Sequence, residues 1–87
     1  MKKKDAILRL QAYFNRKDFS WEIIHHVDEE PIENEEFWIF RNLWEPRESI
    51  RGNQIYINPA YPMIIVRKYN GCVEELSTGD IDRLKIF

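Results

Sequence analysis

Phe37-Trp38-Ile39-Phe40-Arg41-Asn42-Leu43-Trp44 is the densest apolar run in the chain, and its alternation decides the fold. In an extended backbone Phe37, Ile39 and Leu43 fall on one side and Trp38, Phe40 and Trp44 on the other. A strand that is apolar on both sides needs cover on both faces, so residues 37–44 read as a central strand. Pro46 closes it, because proline cannot donate to a ladder.

Upstream, Trp21, Ile23, His25 and Val27 alternate with Glu22, Ile24, His26 and Asp28, the pattern of another strand. Residues 28–36 are acidic, contain Pro31 and have Ile32 as their one apolar residue, which predicts a loop or a frayed strand end. Downstream, residues 45–53 form a polar connection and Gln54–Asn58 a short strand; Pro59 and Pro62 bracket a bend before a strand from Met63 to Tyr69. Asn70-Gly71 predicts a two-residue type I′ turn, since both positions need positive φ. That turn pairs Tyr69 with Cys72, Lys68 with Val73, Ile65 with Leu76, and Arg67 with Glu74 as opposite charges across the ladder.

Helices close both ends. Asp5 is placed to cap a helix over residues 6–17, with Ile7, Leu10 and Phe14 on one stripe beside Tyr13. The lysines at 2–4 suit a helix N-terminus poorly and are left outside it. Asp80 is read as the cap of a short final helix that turns Ile81, Leu84 and Ile86 or Phe87 back onto the domain. No strand alternates with a long helix, so the expected fold is α+β: an antiparallel sheet of about five strands, the N-terminal helix on one face, and a short C-terminal helix. Residues 1–87 are read as a single domain.

Composition narrows the function classes. Of 87 residues, 44% are hydrophobic and 32% charged, the balance of an ordinary globular domain. No apolar run approaches the ~20 residues of a membrane span. Met1-Lys2-Lys3-Lys4 looks like the basic start of a signal peptide, but no apolar stretch comes after it; Asp5 and Arg9 interrupt the segment. One cysteine, Cys72, allows no internal disulfide and is expected as a half-buried strand residue in a reducing cytoplasm.

Charge is unevenly spread. From Asp18 to Phe40 there are eight acids and no Lys or Arg, whereas the remainder carries thirteen bases and seven acids. A dense anionic patch steers basic partners and raises association rates. The plain reading of this segment is a solvated acidic edge; read instead as a partner-binding surface, it offers Asp28, Glu29, Glu30, Glu33, Glu35 and Glu36, with Trp38 and Trp44 as neighbouring aromatic anchors. A nuclease domain is a fitting partner, because its active site is built to hold phosphates.

Catalytic and metal chemistry find little footing. His25 and His26 are adjacent on a strand and point to opposite faces, so they do not converge on one metal, and a zinc site needs three or four ligands. Three glycines leave no phosphate-cradling loop. Trp38, Phe40, Trp44, Tyr56 and Tyr61 lack the interleaved Lys and Arg of a nucleic-acid surface, so core packing is the better account of them, with one or two left as interface anchors. No catalytic residue, metal or cofactor is expected, and neither nucleic acid nor membrane is an expected direct partner.

Glu36-Phe37-Trp38-Ile39-Phe40, followed by the stretch from Pro62-Met63-Ile64-Ile65-Val66 through Asn70-Gly71 to Leu76-Ser77-Thr78-Gly79, resembles the YrhB-like small bacterial immunity proteins (immunity type thirty-five) of polymorphic toxin systems. That family has a leading helix, a Trp-centred strand, a Pro-Ile-Ile-Val strand, a glycine turn and a Leu-Gly-Thr-like ending. Phe37 stands where the family has glycine before the tryptophan, and Ala60-Tyr61 where it has Gly-Asn-Gly. The resemblance implies a cytoplasmic protein that binds and neutralises a cognate toxin domain, with no catalytic residues of its own.

The expectation is thus an immunity or inhibitor protein, monomer or homodimer, acting through its acidic segment. The rival is a structural or regulatory module that homo-oligomerises through an edge strand, with Gln54–Asn58 the candidate.

Overall fold

A computed structural model describes residues 1–17, 22–47 and 54–85. Along the chain run α1 (Lys3–Arg16), β1 (Ile23–His26), β2 (Ile32–Glu33), β3 (Phe37–Arg41), β4 (Leu43–Pro46), β5 (Tyr56–Ile57), β6 (Met63–Arg67), β7 (Val73–Leu76) and α2 (Thr78–Leu84). The fold is α+β with antiparallel pairing throughout, but the strands form two sheets rather than one: β2-β3-β6-β7 and β1-β4-β5.

The division falls at Asn42, inside the run expected to be one strand. Its backbone N–H donates to the Pro62 carbonyl at 3.0 Å, while its own carbonyl accepts from Asn58 N–H at 2.9 Å. The side-chain amide donates to the Tyr61 carbonyl at 2.8 Å and to Glu75 Oε1 at 3.1 Å. A polar residue in an apolar run here lets the chain leave one sheet and enter the other with its hydrogen bonds satisfied.

The alternation within β3 is as expected. Trp38 and Phe40 join Ile64 and Val66 beneath Ala6, Leu10 and Phe14 of α1. Phe37 and Ile39 join Ile65 and Leu76 on the opposite face, where Met63 and Ile81 of α2 add cover. The central strands β3 and β6 are therefore buried on both faces, which is why they read as continuous apolar runs.

Helix α1 starts three residues earlier than its apolar stripe suggests. Lys2 is the N-cap without a side-chain cap bond, and Asp5 lies in the first turn, where its charge still favours the positive helix end. The preceding segment is tied down by Trp38, whose Nε1 donates to the Met1 carbonyl at 3.1 Å. Helix α2 also differs at its start: Ser77 is the N-cap, and Asp80 at the third helical position completes a capping box.

The β6–β7 hairpin is two residues out of the expected register. Met63 faces Leu76, Ile65 faces Glu74 and Val66 faces Val73. Arg67 N–H donates to the Cys72 carbonyl, leaving a four-residue loop from Lys68 to Gly71. Gly71 has φ +72°, but Lys85 is the only non-glycine residue described with positive φ, so Asn70 does not support a type I′ turn. A shift of two preserves which face each side chain occupies. Arg67 consequently still reaches Glu74, diagonally, at 3.2–3.3 Å. Cys72 is exposed at the loop end, not half-buried in a strand. The expected roles of Trp21, Ile86, Phe87 and residues 48–53 fall outside the described residues.

Candidate protein-binding edge

β2 is the outer strand of the four-stranded sheet, pairing Ile32 with Ile39 and Glu33 with Trp38. Only two residues pair because each flank is diverted into side-chain-bonded turns. Before β2, Asp28 Oδ1 accepts from Glu30 N–H at 3.1 Å. After it, Asn34 Oδ1 accepts from the N–H groups of Glu36 and Phe37 at 2.9 and 2.8 Å. Such Asx interactions offer the backbone an alternative to the ladder. The carboxylates of Glu29, Glu30, Glu35 and Glu36 consequently project from the two ends of β2, all exposed. Ile32 stands between them, 53% exposed.

The structure does not keep the whole acidic segment free. Asp28 is only 3% exposed, contrary to its expected place on the surface. Its Oδ2 accepts from Arg41 N–H and Nε at 3.0 and 3.1 Å, and Oδ1 from Arg41 Nη2 at 3.1 Å. Burial pushes this carboxyl up, but the Arg41 and Glu30 hydrogen bonds outweigh it and hold Asp28 below the usual range. Glu33 is paired with Lys68. Lys68 also lies over the Trp38 ring, 5.5 Å from its centroid.

The aromatic anchors are likewise displaced. Trp38 is 8% exposed, because its ring belongs to the core under α1 and its indole N–H is spent on Met1. Trp44 is half-buried on the second sheet and packs on Tyr56, ring centroids 5.2 Å apart. The edge that remains is Glu29, Glu30, Glu35 and Glu36 around Ile32. None of these glutamates joins an ion pair among the described residues, although Arg41 acts on Glu30 and Arg67 on Glu36 at longer range. The sequence marks Ile32 only as the loop's apolar residue; its exposure on β2 has no signal in a single sequence.

Other polar clusters are committed to architecture. Glu75 accepts from Tyr13 Oη at 2.7 Å, from Lys17 Nζ at 2.9 Å and from Asn42 Nδ2 at 3.1 Å. Burial raises Glu75 but its donors prevail, so it lies below its ordinary value, a poor setting for a general base. Burial together with Glu75 pushes Tyr13 up to about 12. The two histidines diverge as expected. His25 stacks on Phe14 at 4.7 Å, and His26 Nε2 lies 2.8 Å from Glu45 Oε1. Both line an open groove of about 480 Å³ between α1 and β1, whose rim reaches Glu29. Among the described residues no group of three or more His, Cys, Asp or Glu converges to hold a metal, and no helix is long and apolar enough to cross a membrane.

Comparison with protein-family models, with curated proteins and with solved structures finds no match to this chain.

Proposed function

We propose that this chain is a cytoplasmic immunity or inhibitor protein that occludes a cationic surface on a cognate bacterial toxin domain with its β2 edge. The observation that carries the reading is the placement of Glu29, Glu30, Glu35 and Glu36 around the exposed Ile32 on an outer strand. The glutamates steer a basic partner into place. Ile32 supplies apolar area at the centre of the contact, where interfaces concentrate their energy. Asp28 and Arg41 contribute indirectly, by fixing the chain as it enters the edge. The resemblance to immunity proteins supports the choice of a toxin as the partner class. The plainer role of the same charges, keeping an edge strand from pairing with other chains, is compatible with a binding role and does not need Ile32.

Co-expression with candidate bacterial toxin domains tests this. The wild-type chain is expected to restore growth, and the Glu29→Lys, Glu30→Lys, Glu35→Lys, Glu36→Lys variant to lose protection while remaining folded. Full protection by the folded variant overturns the assignment of this edge.

A further inference from the structure

Among the described residues the second sheet also ends on an open edge, and its chemistry is the opposite. β5 is one of the two outer strands of β1-β4-β5. From Gln54 to Met63 no residue is charged. Ile55 and Ile57 are 53% and 50% exposed, and Tyr56 and Tyr61 are exposed beside them. Charged side chains on an edge strand discourage pairing with another chain. β2 carries that protection and β5 does not.

The ladder fixes which backbone groups face outward. Ile57 pairs with Leu43 and Tyr56 with Trp44, and Asn58 N–H donates to the Asn42 carbonyl. In an antiparallel ladder both backbone groups of a residue face the same neighbour, and the direction alternates along the strand. Tyr56 and Asn58 therefore face β4. Ile57 presents N–H and C=O to the outside, and extending β5 by one alternation places those of Ile55 there too. The strand ends after Ile57, as Asn58 Oδ1 accepts from the N–H groups of Ala60 and Tyr61 and turns the chain at Pro59.

We propose that β5 pairs antiparallel with β5 of a second copy of this chain, about a two-fold axis through Tyr56, so that two three-stranded sheets become one continuous sheet. In this register Ile55 of each copy exchanges hydrogen bonds with Ile57 of the other, using the outward groups on both sides of the axis. Tyr56 meets its own copy as a non-hydrogen-bonded pair, with Cα atoms ~4.5 Å apart. The tilted Trp44–Tyr56 contact then continues across the axis as a row of aromatics. A second copy is the favoured occupant because an uncharged edge is self-complementary about a two-fold, whereas contact through β2 would set glutamates against glutamates. The contact is small beside the ~800 Å² per partner of a standard interface, so weak association is expected. It uses a different sheet from the toxin-binding reading and does not depend on it.

Sedimentation equilibrium of the full chain from about 5 to about 500 µM tests the proposal. The wild type is expected to rise towards twice the monomer mass across that range. Ile57→Lys places a charge on each side of the axis and is expected to weaken association at least ~10-fold. A crosslinking arm covers the case in which that variant does not fold. Tyr56→Cys with Cys72→Ser is expected to give a disulfide-linked dimer under mild oxidation, since ~4.5 Å lies within the Cα separation a disulfide spans. Tyr69→Cys with Cys72→Ser, on the exposed hairpin loop, is not. A wild-type chain that stays monomeric throughout, a dimer indifferent to Ile57→Lys, or crosslinking no faster at position 56 than at 69 overturns the proposal.

Discussion

Asp28 and Arg41 form a fork in which one carboxylate accepts the backbone N–H, Nε and Nη2 of the arginine. The pair fastens the segment leaving β1 to the end of β3, at the base of the acidic edge. It also removes one negative charge from the surface the sequence advertises. Asp28 is buried while Arg41 is mostly exposed, so the two residues are not equivalent.

Their variants should therefore differ in stability. Asp28→Ala leaves the Arg41 and Glu30 N–H groups without their acceptor in a part-buried setting, and is expected to cost about 2–3 kcal/mol. Arg41→Ala leaves Asp28 with its backbone donors and is expected to cost about 1 kcal/mol. Urea denaturation of both variants checks the order; equal losses contradict it.

Glu75 joins α1, Asn42 and β7 through three different donors. Glu75→Ala is expected to lower stability by about 2–3 kcal/mol, with Glu75→Gln losing less because the amide oxygen still accepts. Thermal melts of the two variants separate a hydrogen-bond hub from a simple ion pair, for which Gln and Ala would be equally damaging.

Four of the shifted groups illustrate the pH profile of stability. Asp28 and Glu75 lie below their ordinary values when folded, so in acid the unfolded chain takes up protons first. Their contribution is complete above about pH 4.5 and is lost as pH falls through their folded values. His25 is lowered by burial and by Lys17, which makes the unfolded state bind its proton first below about pH 6.5 and begins the decline earlier. Tyr13 acts at the other end: between 10.0 and about 12 the unfolded chain loses its proton while the folded one keeps it, so stability falls as pH rises. Denaturation midpoints measured from acid to alkali should form a plateau with both flanks declining. Tyr13→Phe should remove the contribution of this group to the alkaline decline.

Gly71 sits at φ +72° with Arg9 so close that a Cβ would stand 2.9 Å from its guanidinium carbon. The arginine end can swing away, so backbone strain dominates, and Gly71→Ala is expected to cost about 1–2 kcal/mol. A calorimetric melt checks it; an unchanged midpoint would mean that the loop relaxes to another conformation.

Legibility in the sequence tracks the range of the interaction. The two faces of Phe37–Phe40 and the buried stripe through Leu10 and Phe14 are readable, because periodicity is local. The break at Asn42 is not, since it depends on Pro62, Asn58 and Glu75 arriving from elsewhere in the chain. Asn70-Gly71 signals a turn correctly but misplaces the register by two residues, because loop geometry is set by φ at each position and not by the dipeptide alone. The acidic segment is visible as composition. Its partial neutralisation by Arg41 and Lys68 is hidden, as both cations are supplied by neighbouring strand ends.

If the unpaired glutamates at the ends of β2 guide a cationic toxin surface onto the protein, the encounter must be accelerated by charge. The decisive quantity is the association rate of the purified chain with the toxin domain proposed as its partner, measured across ionic strength. The wild type should associate ~10-fold or more faster at low salt than at high salt, and the Glu29→Lys, Glu30→Lys, Glu35→Lys, Glu36→Lys variant should lose that acceleration. Equal rates and equal salt dependence for the two folded proteins would refute guidance by this edge.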